Sequence, residues 1–303
     1  MTQLRRLLAG AALTALSATA FSATAALADV TVLGWPGGPE ETALRAAAEA
    51  YNAAAAEADK VNLIFFNRDG FFDKLAADLA AGSQEFDVNL VATYAIGRYA
   101  PFMDPVTLPD GAAELFGDKV LATMQFGGEQ YGVPTDLSLH FMYYRQDLID
   151  QLLSDEAWKA RYAEIAQAQM GTAMEPKDPD QWTQEDWMAT ALFTQAINPD
   201  SPTRYGTVLQ MKNLLFNMMV WHSAARAQGG DWQDASGAVT VDSPAFRAAL
   251  ELYKKLYDAG TSPTDSPTYE YAEANAAFDS GQAATMIQWN AAFADLDSAE
   301  KTP

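Results

Sequence analysis

Between Phe126 and Ile149 the chain reads FGGEQYGVPTDLSLHFMYYRQDLI, and this stretch limits the possible folds more tightly than any other. Gly127-Gly128 is a turn signal between apolar residues, which places Phe126 and Tyr131 on the two arms of a hairpin. Pro134 then fixes its own φ and drives Val133 out of the helical region, so no helix can run through the corner. Ser138–Tyr144 follows as an apolar run of strand length. Hairpin, rigid corner and strand together read as a covalent passage from one folded half to another.

The residues before it alternate strand and helix. Val30–Gly34 is a buried-strand candidate, followed by Trp35-Pro36-Gly37-Gly38-Pro39 and a long alanine-rich helix from about Glu40 to Glu57. Pro39 suits a first helical turn, and Glu40 and Glu41 complement the positive end of the helix dipole. The same two carboxylates make the glycine-rich turn a poor phosphate cradle, and neither a Gly-Lys-Ser/Thr ending nor G-x-G-x-x-G is present. Val61–Phe66, Phe71–Ala81 and Phe86–Val91 continue as strand, helix and strand, the pattern of a parallel sheet flanked by helices. Ligands of such sheets gather beyond the carboxyl ends of the strands, which selects Trp35, the Asn67–Gly70 loop with Asp69, and Thr93-Tyr94. Asp69 and Thr93 are also good helix caps, and Trp35 is also core material.

Beyond the passage, Gln146–Leu153 and Glu156–Gln169 read as surface helices. Thr183 with Asp186 three residues on forms a capping pattern for a helix to about Ile197. Tyr205–Leu209 is a strand and Lys212–Gln228 a helix. Ala238–Val241 is a short strand, and Ser243-Pro244 opens a helix to Ala259. Tyr269–Asp279 is a helix and Ala283–Gln288 a strand closing on Trp289-Asn290, with Ala291–Ala299 starting another helix.

Tyr131-Gly132-x-Pro134-x-Asp136 followed by Tyr143-Tyr144-Arg145-x-Asp147-Leu148 resembles the hinge-entry signature of the extracellular solute-binding proteins of ABC importers, in the sugar-binding group that includes maltose-binding protein. The resemblance runs from about Val30 to Phe293. It implies an α/β, two-lobed periplasmic-binding-protein fold (type II-like), with parallel-rich sheets flanked by helices and hinge crossings between the lobes. Lobe 1 is expected over 29–137, lobe 2 over 138–287, and an incomplete return to lobe 1 over 288–303. In that family the loop after the first strand faces the cleft, which makes Trp35 a candidate sugar platform. Asp231–Gly237, with Trp232, resembles the family's small polar turn. Phe278, Gly281 and Met286 fit the frame leading back to lobe 1, and Trp289, beside Asn290, matches a position that often stacks on sugar. Family members continue well past the equivalent of Pro303, so the chain is expected to lack its C-terminal part and to leave apolar faces in both lobes without partners.

Composition narrows the partners. The 303 residues include 40 acidic and 19 basic side chains, a net charge of −21, and this excess argues against nucleic acid or an anionic membrane surface. There is no cysteine, which excludes disulfides, thiolate metal sites and a lipidated amino-terminal cysteine. Arg5-Arg6, the apolar run Leu7–Leu16 and Ala26-Leu27-Ala28 have the layout of a secretory signal peptide over 1–28, cleaved after Ala28. Loss of the two arginines leaves 17 basic against 40 acidic residues, net −23. The mature chain is expected in the periplasm, not inserted in a membrane, and monomeric.

Chemistry for turnover is sparse. His140 and His222 are the only two imidazoles, and no metal or hydrolase motif surrounds them. Asp69 with Asp136 could be imagined as a glycosidase pair, although 40 acids make coincidental pairs easy. A binding role uses the same residues more economically, because sugars offer C–H faces to aromatic rings and hydroxyl rims to polar groups. Trp35, Tyr94, Trp232 and Trp289 fall at loop or strand ends, with Asp136 at the crossing as the preferred hydrogen-bonding acid or else a turn residue. The expectation is a substrate-binding component of an ABC importer that captures a neutral oligosaccharide or polyol, works with permease subunits, and needs no cofactor, metal or catalytic residue. An exported glycan-acting enzyme and a truncated derivative that binds nothing remain the alternatives.

Overall fold

The computed structural model describes residues 30–195 and 203–297. The segment read as a signal peptide, most of the turn at 198–204 and the end of the last helix lie outside these residues.

Strand β1 (Val30–Gly34) is the middle of a three-stranded parallel sheet of order β2-β1-β3. Helix α1 (Gly38–Ala54) connects it to β2 (Val61–Phe65), and α2 (Phe71–Ala81) connects β2 to β3 (Val88–Asn89). Pro39 and the acidic pair Glu40 and Glu41 open α1 as expected, and the Gly37 N–H donates to Glu41 Oε2 at 2.6 Å. Gly82 ends α2 in the left-handed region at φ 64°, where a side chain would be strained. Phe71, Phe72 and Leu75 bury one face of α2 against Leu33 and Tyr99, making the first core. The opposite face of this sheet is poorly covered. No residue of α1 is fully buried, and Val88 is 50 % exposed.

The third strand keeps only two ladder residues of the six the sequence pattern suggests, because it pairs with β1 alone at Val32↔Val88 and Leu33↔Asn89. Short helices α3 (Ile96–Tyr99), α4 (Ala112–Phe116) and α5 (Asp118–Ala122) lead to the hairpin β4 (Gln125–Phe126) and β5 (Glu129–Gln130). Gly127 and Gly128, at φ 61° and 89°, make the turn the sequence called for.

A second sheet, of order β6-β8-β7, follows the passage. Strand β6 (His140–Tyr144) leads into α6 (Gln146–Ser154), α7 (Glu156–Met170) and α8 (Gln184–Thr194). Thr183 and Asp186 form the capping box at α8, each side chain bonding the other's backbone N–H. Then come β7 (Tyr205–Val208), α9 (Leu215–Ala227), α10 (Pro244–Asp258) capped by Ser243, α11 (Tyr271–Asp279), the central strand β8 (Ala283–Trp289) and α12 (Phe293–Leu296). β8 is antiparallel to β6 and parallel to β7, and its residues Ala283–Met286 are all buried, as a strand covered on both faces should be.

The 238–241 strand is a single bridge, Gln233↔Val239, since the hairpin folds back on itself without joining a sheet. Three cores flank the second sheet: α6–α8 around Phe193, α8–α10 around Trp187 and Leu256, and α11–β8 around Met286. The two sheets with separate cores make two lobes. Among the described residues no helix is long and apolar enough to cross a membrane.

Candidate functional site

The site is built where the chain passes twice between the lobes. His140 on β6 pairs with Trp289 on β8, and the pairing continues beyond the strand ends. Asn290 N–H donates to the Leu139 carbonyl at 2.8 Å, Leu139 N–H to Asn290 Oδ1 at 2.8 Å, and Asn290 Nδ2 to the Leu137 carbonyl at 3.1 Å. The two passages therefore run side by side. They border a cavity of about 1050 Å³ lined by Trp35, Glu40, Arg68, Thr93 and Tyr94 from the first lobe and by His140, Phe216, Ser223, Tyr271 and Trp289 from the second, with Asp136 on the passage itself. The cavity also runs out over the open sheet face at Val32, Val88 and Leu90, so its volume exceeds the space between the lobes.

Five of the eight residues selected from sequence line this cavity: Trp35, Thr93, Tyr94, Asp136 and Trp289. They differ in what they can offer. Trp35 is only 7 % exposed, with Phe71 edge-on at 5.1 Å and Phe216 at 5.6 Å, so its ring is core packing. Its Nε1 is buried without an acceptor. Tyr94 is 38 % exposed beside Phe72, and desolvation holds its phenol protonated above the ordinary range. Thr93 is exposed in a 3₁₀ turn and caps nothing. Asp136 is exposed and accepts from Ser138 Oγ at 2.9 Å. Trp289 is half-buried, with the His140 ring edge-on at 4.0 Å.

Asp69, Trp232 and Asn290 lie outside the lining. Asp69 takes both its oxygens to Lys212 Nζ, at 2.7 and 2.8 Å, and so ties the first lobe to the second; it does not cap α2. Trp232 packs on His222 at 4.3 Å and Phe246 at 4.9 Å, inside a second-lobe core. Asn290 spends its amide on the crossing itself.

The remaining lining residues were not selected from sequence. Arg68 donates to Glu270 Oε1 at 3.1 Å, with side chains 14 % and 10 % exposed, and lies over the Phe216 ring at 4.5 Å. Asp69, the next residue in the chain, is engaged by Lys212. Desolvation raises the Glu270 carboxyl, opposed by the Arg68 charge. Glu40 is raised as well, first by desolvation and further by Asp136, against its own backbone hydrogen bond and Arg68. His140 holds Ser223 Oγ at 2.6 Å through Nδ1 and is pushed down to about 4 by desolvation and then by His222. At neutral pH it is an uncharged imidazole. His222 is lowered by desolvation in the same way. Only the count of two histidines could have singled these out, because nothing local marks them.

The chemical character follows. Arg68 is committed to Glu270, Lys212 to Asp69 and Arg226 to Asp231 at 3.2 Å, so each of these cations already has a carboxylate. The rest of the lining is ring edges, hydroxyls, a neutral imidazole, carboxylate oxygens and the ammonium of Lys119, a mostly uncharged set suited to hydroxyl-rich molecules. Among the described residues no group of three or more His, Asp or Glu is placed to hold a metal ion.

The sequence profile of the family described as bacterial extracellular solute-binding protein matches residues 46–303. No curated protein matches the chain. Among solved structures, maltose-bound T. maritima MalE3 is 22 % identical with a TM-score of 0.68, over 90 % of this chain and 64 % of that one. An ABC transporter solute-binding protein from Agrobacterium vitis S4 with bound D-mannitol is 16 % identical with a TM-score of 0.69, over 90 % and 61 %. One from Agrobacterium radiobacter K84 in complex with ribitol is 21 % identical with a TM-score of 0.66, over 91 % and 64 %. The chain thus spans a little under two thirds of the length of these structures, and the likeness is one of fold.

Proposed function

The chain belongs to the bacterial extracellular solute-binding proteins, and from that premise we propose that it captures a neutral carbohydrate, an oligosaccharide or polyol, between its lobes for an ABC importer. The observation that carries this is the seam itself. Two adjacent crossings border a gap whose arginines are already paired and whose exposed or half-buried lining includes Tyr94, Asp136, Ser138 and Trp289. Rings stack on C–H faces while the carboxylate and hydroxyls pair with sugar hydroxyls, so affinity needs no charge on the guest. A guest touching both lobes favours their closed arrangement by the difference in its contacts with the two arrangements, and no covalent step is involved.

The finer assignments belong to the same reading. Residues 1–28 act as a signal peptide cleaved after Ala28, the mature chain works in the periplasm as a monomer, and permease subunits receive the closed form. Lobe 1 is taken as 29–137 and lobe 2 as 138–287, with 288–303 returning toward lobe 1. Asp69, Trp232 and Asn290 serve this reading indirectly, as interlobe tie, core and crossing clamp; Trp35, Thr93, Tyr94, Asp136 and Trp289 border the guest space. Isothermal calorimetry of the purified chain against a panel of sugars and polyols tests the proposal. Saturable heat with one of them is expected. Binding of a peptide or a metal ion instead, with no carbohydrate bound, discards it.

A further inference from the structure

This inference rests on the carbohydrate reading and concerns which carbohydrate. Helix α9 belongs to the second lobe, where Asn217 in its first turn donates to the Tyr269 carbonyl at 2.8 Å, yet the neighbouring Phe216 points into the first lobe. Phe216, 5 % exposed, enters the first-lobe core, 5.0 Å from the Phe72 ring and 5.6 Å from Trp35, with Leu214 and Leu215 against the same cluster. Arg68 covers Phe216 at 4.5 Å and is itself fixed by Glu270. The ring of Trp35 is thus enclosed by Phe71, Phe72 and Phe216, and no face is left on which a sugar could stack.

We propose that Phe216 is a size-determining residue: it fills the Trp35 end of the gap and confines the guest to the part bounded by Tyr94, Asp136, Ser223 and Trp289. A guest ring stacks at about 3.5–4 Å between carbons, and with the Phe216 and Trp35 ring centroids only 5.6 Å apart no guest ring can enter between them. Tyr94 and Trp289 line the same cavity, and the guest that this confinement favours is one saccharide ring or one short polyol chain. A second or third ring in line would need the space Phe216 occupies. The cavity volume of about 1050 Å³ also includes space over Val32, Val88 and Leu90 on the open sheet face, beyond the gap between the lobes.

The test is calorimetric titration of the chain with ribitol, mannitol, glucose, maltose and maltotriose, for wild type and Phe216→Ala. Wild type is expected to bind a polyol or glucose at least tenfold tighter than maltotriose, and Phe216→Ala to shrink that ratio at least tenfold by gaining affinity for the trisaccharide. Equal affinity for the trisaccharide in wild type, or an unchanged ratio in a variant that keeps its circular-dichroism melt, overturns the role of Phe216. If Phe216→Ala does not fold, Phe216→Leu, which keeps an apolar plug of shorter reach, is expected to move the ratio at least threefold in the same direction; no movement overturns the proposal. Binding of none of the five would instead defeat the carbohydrate reading itself, and is distinguishable for that reason.

Discussion

Protonation of His140 should destabilise the chain in mild acid by an amount the structure sets. Its imidazole is enclosed by Trp289 at 4.0 Å and by Ser223, with His222 the nearest like charge, and its pKa is lowered from 6.5 to about 4 by desolvation and then by His222. Below pH 6.5 the unfolded chain takes up a proton at this residue and the folded chain does not, until about pH 4. The stabilisation is therefore complete above 6.5 and disappears as pH falls through that window. A depression of that size corresponds to about 3 kcal/mol across the window, at about 1.36 kcal/mol per pH unit. Urea unfolding of wild type and His140→Gln at pH 7 and at pH 4 isolates the contribution, since the other titrating groups are common to both. The difference in stability between the two proteins should change by about 3 kcal/mol, in the direction that disfavours wild type in acid. The chain has only two histidines, so proton NMR with a His222→Gln variant follows the His140 ring alone. A titration midpoint close to 6.5 would refute the reasoning.

Three other outcomes follow from the same packing. A Cβ at Gly206 would sit 1.8 Å from the Ala191 carbonyl oxygen, and α8 is backed by fully buried Leu192, so Gly206→Ala should cost about 3 kcal/mol or more by calorimetric melting. Gly97→Ala, whose nearest new contacts are 3.4 Å or more away, is the control expected within about 0.5 kcal/mol of wild type. Thr183→Ala removes the hydroxyl half of the α8 capping box and should lower stability by about 1 kcal/mol in urea. Asp136→Asn should weaken carbohydrate binding roughly tenfold in calorimetry, as expected for a hydrogen bond to a charged group, with the melting temperature unchanged because the side chain is exposed.

Much of the fold was legible because its signals are local. Proline at 39, the Thr183 and Asp186 box, Ser243-Pro244 and Gly127-Gly128 each determine backbone geometry within a few residues, and the structure follows them. Where a strand depends on its partner, local pattern overshoots. Phe86–Val91 has the apolar content of a full strand, but it lies at a sheet edge with one neighbour and keeps two ladder residues. Residues 238–241 find no sheet to join. Helix α9 starts at Leu215 and not at Lys212, whose backbone is engaged within the second lobe by Asn217 Nδ2 and the Tyr269 carbonyl while its ammonium binds Asp69 across the seam.

The site was less legible because its composition is decided by pairings between distant residues. Asp69 and Lys212 are 143 positions apart, and Arg68 and Glu270 are 202 apart. Neither partner carries a mark of the other, so sequence reasoning left Asp69 as a ligand group or a helix cap and could not find the Lys212 and Glu270 partners. Trp35 shows the same effect in apolar form. Its place after the first strand selected it for the cleft, and it lines the cavity, but the residue that covers it comes from a helix of the other lobe. What local rules could find was the location of the seam: Pro134 and Trp289 mark the two passages, and β-pairing of His140 with Trp289 then draws them together. Which groups there stay free follows only from subtracting those that the lobes use on each other. That subtraction removes the arginines and leaves mainly rings and hydroxyls beside Glu40, Asp136 and Lys119, and it is the reason an uncharged guest is proposed.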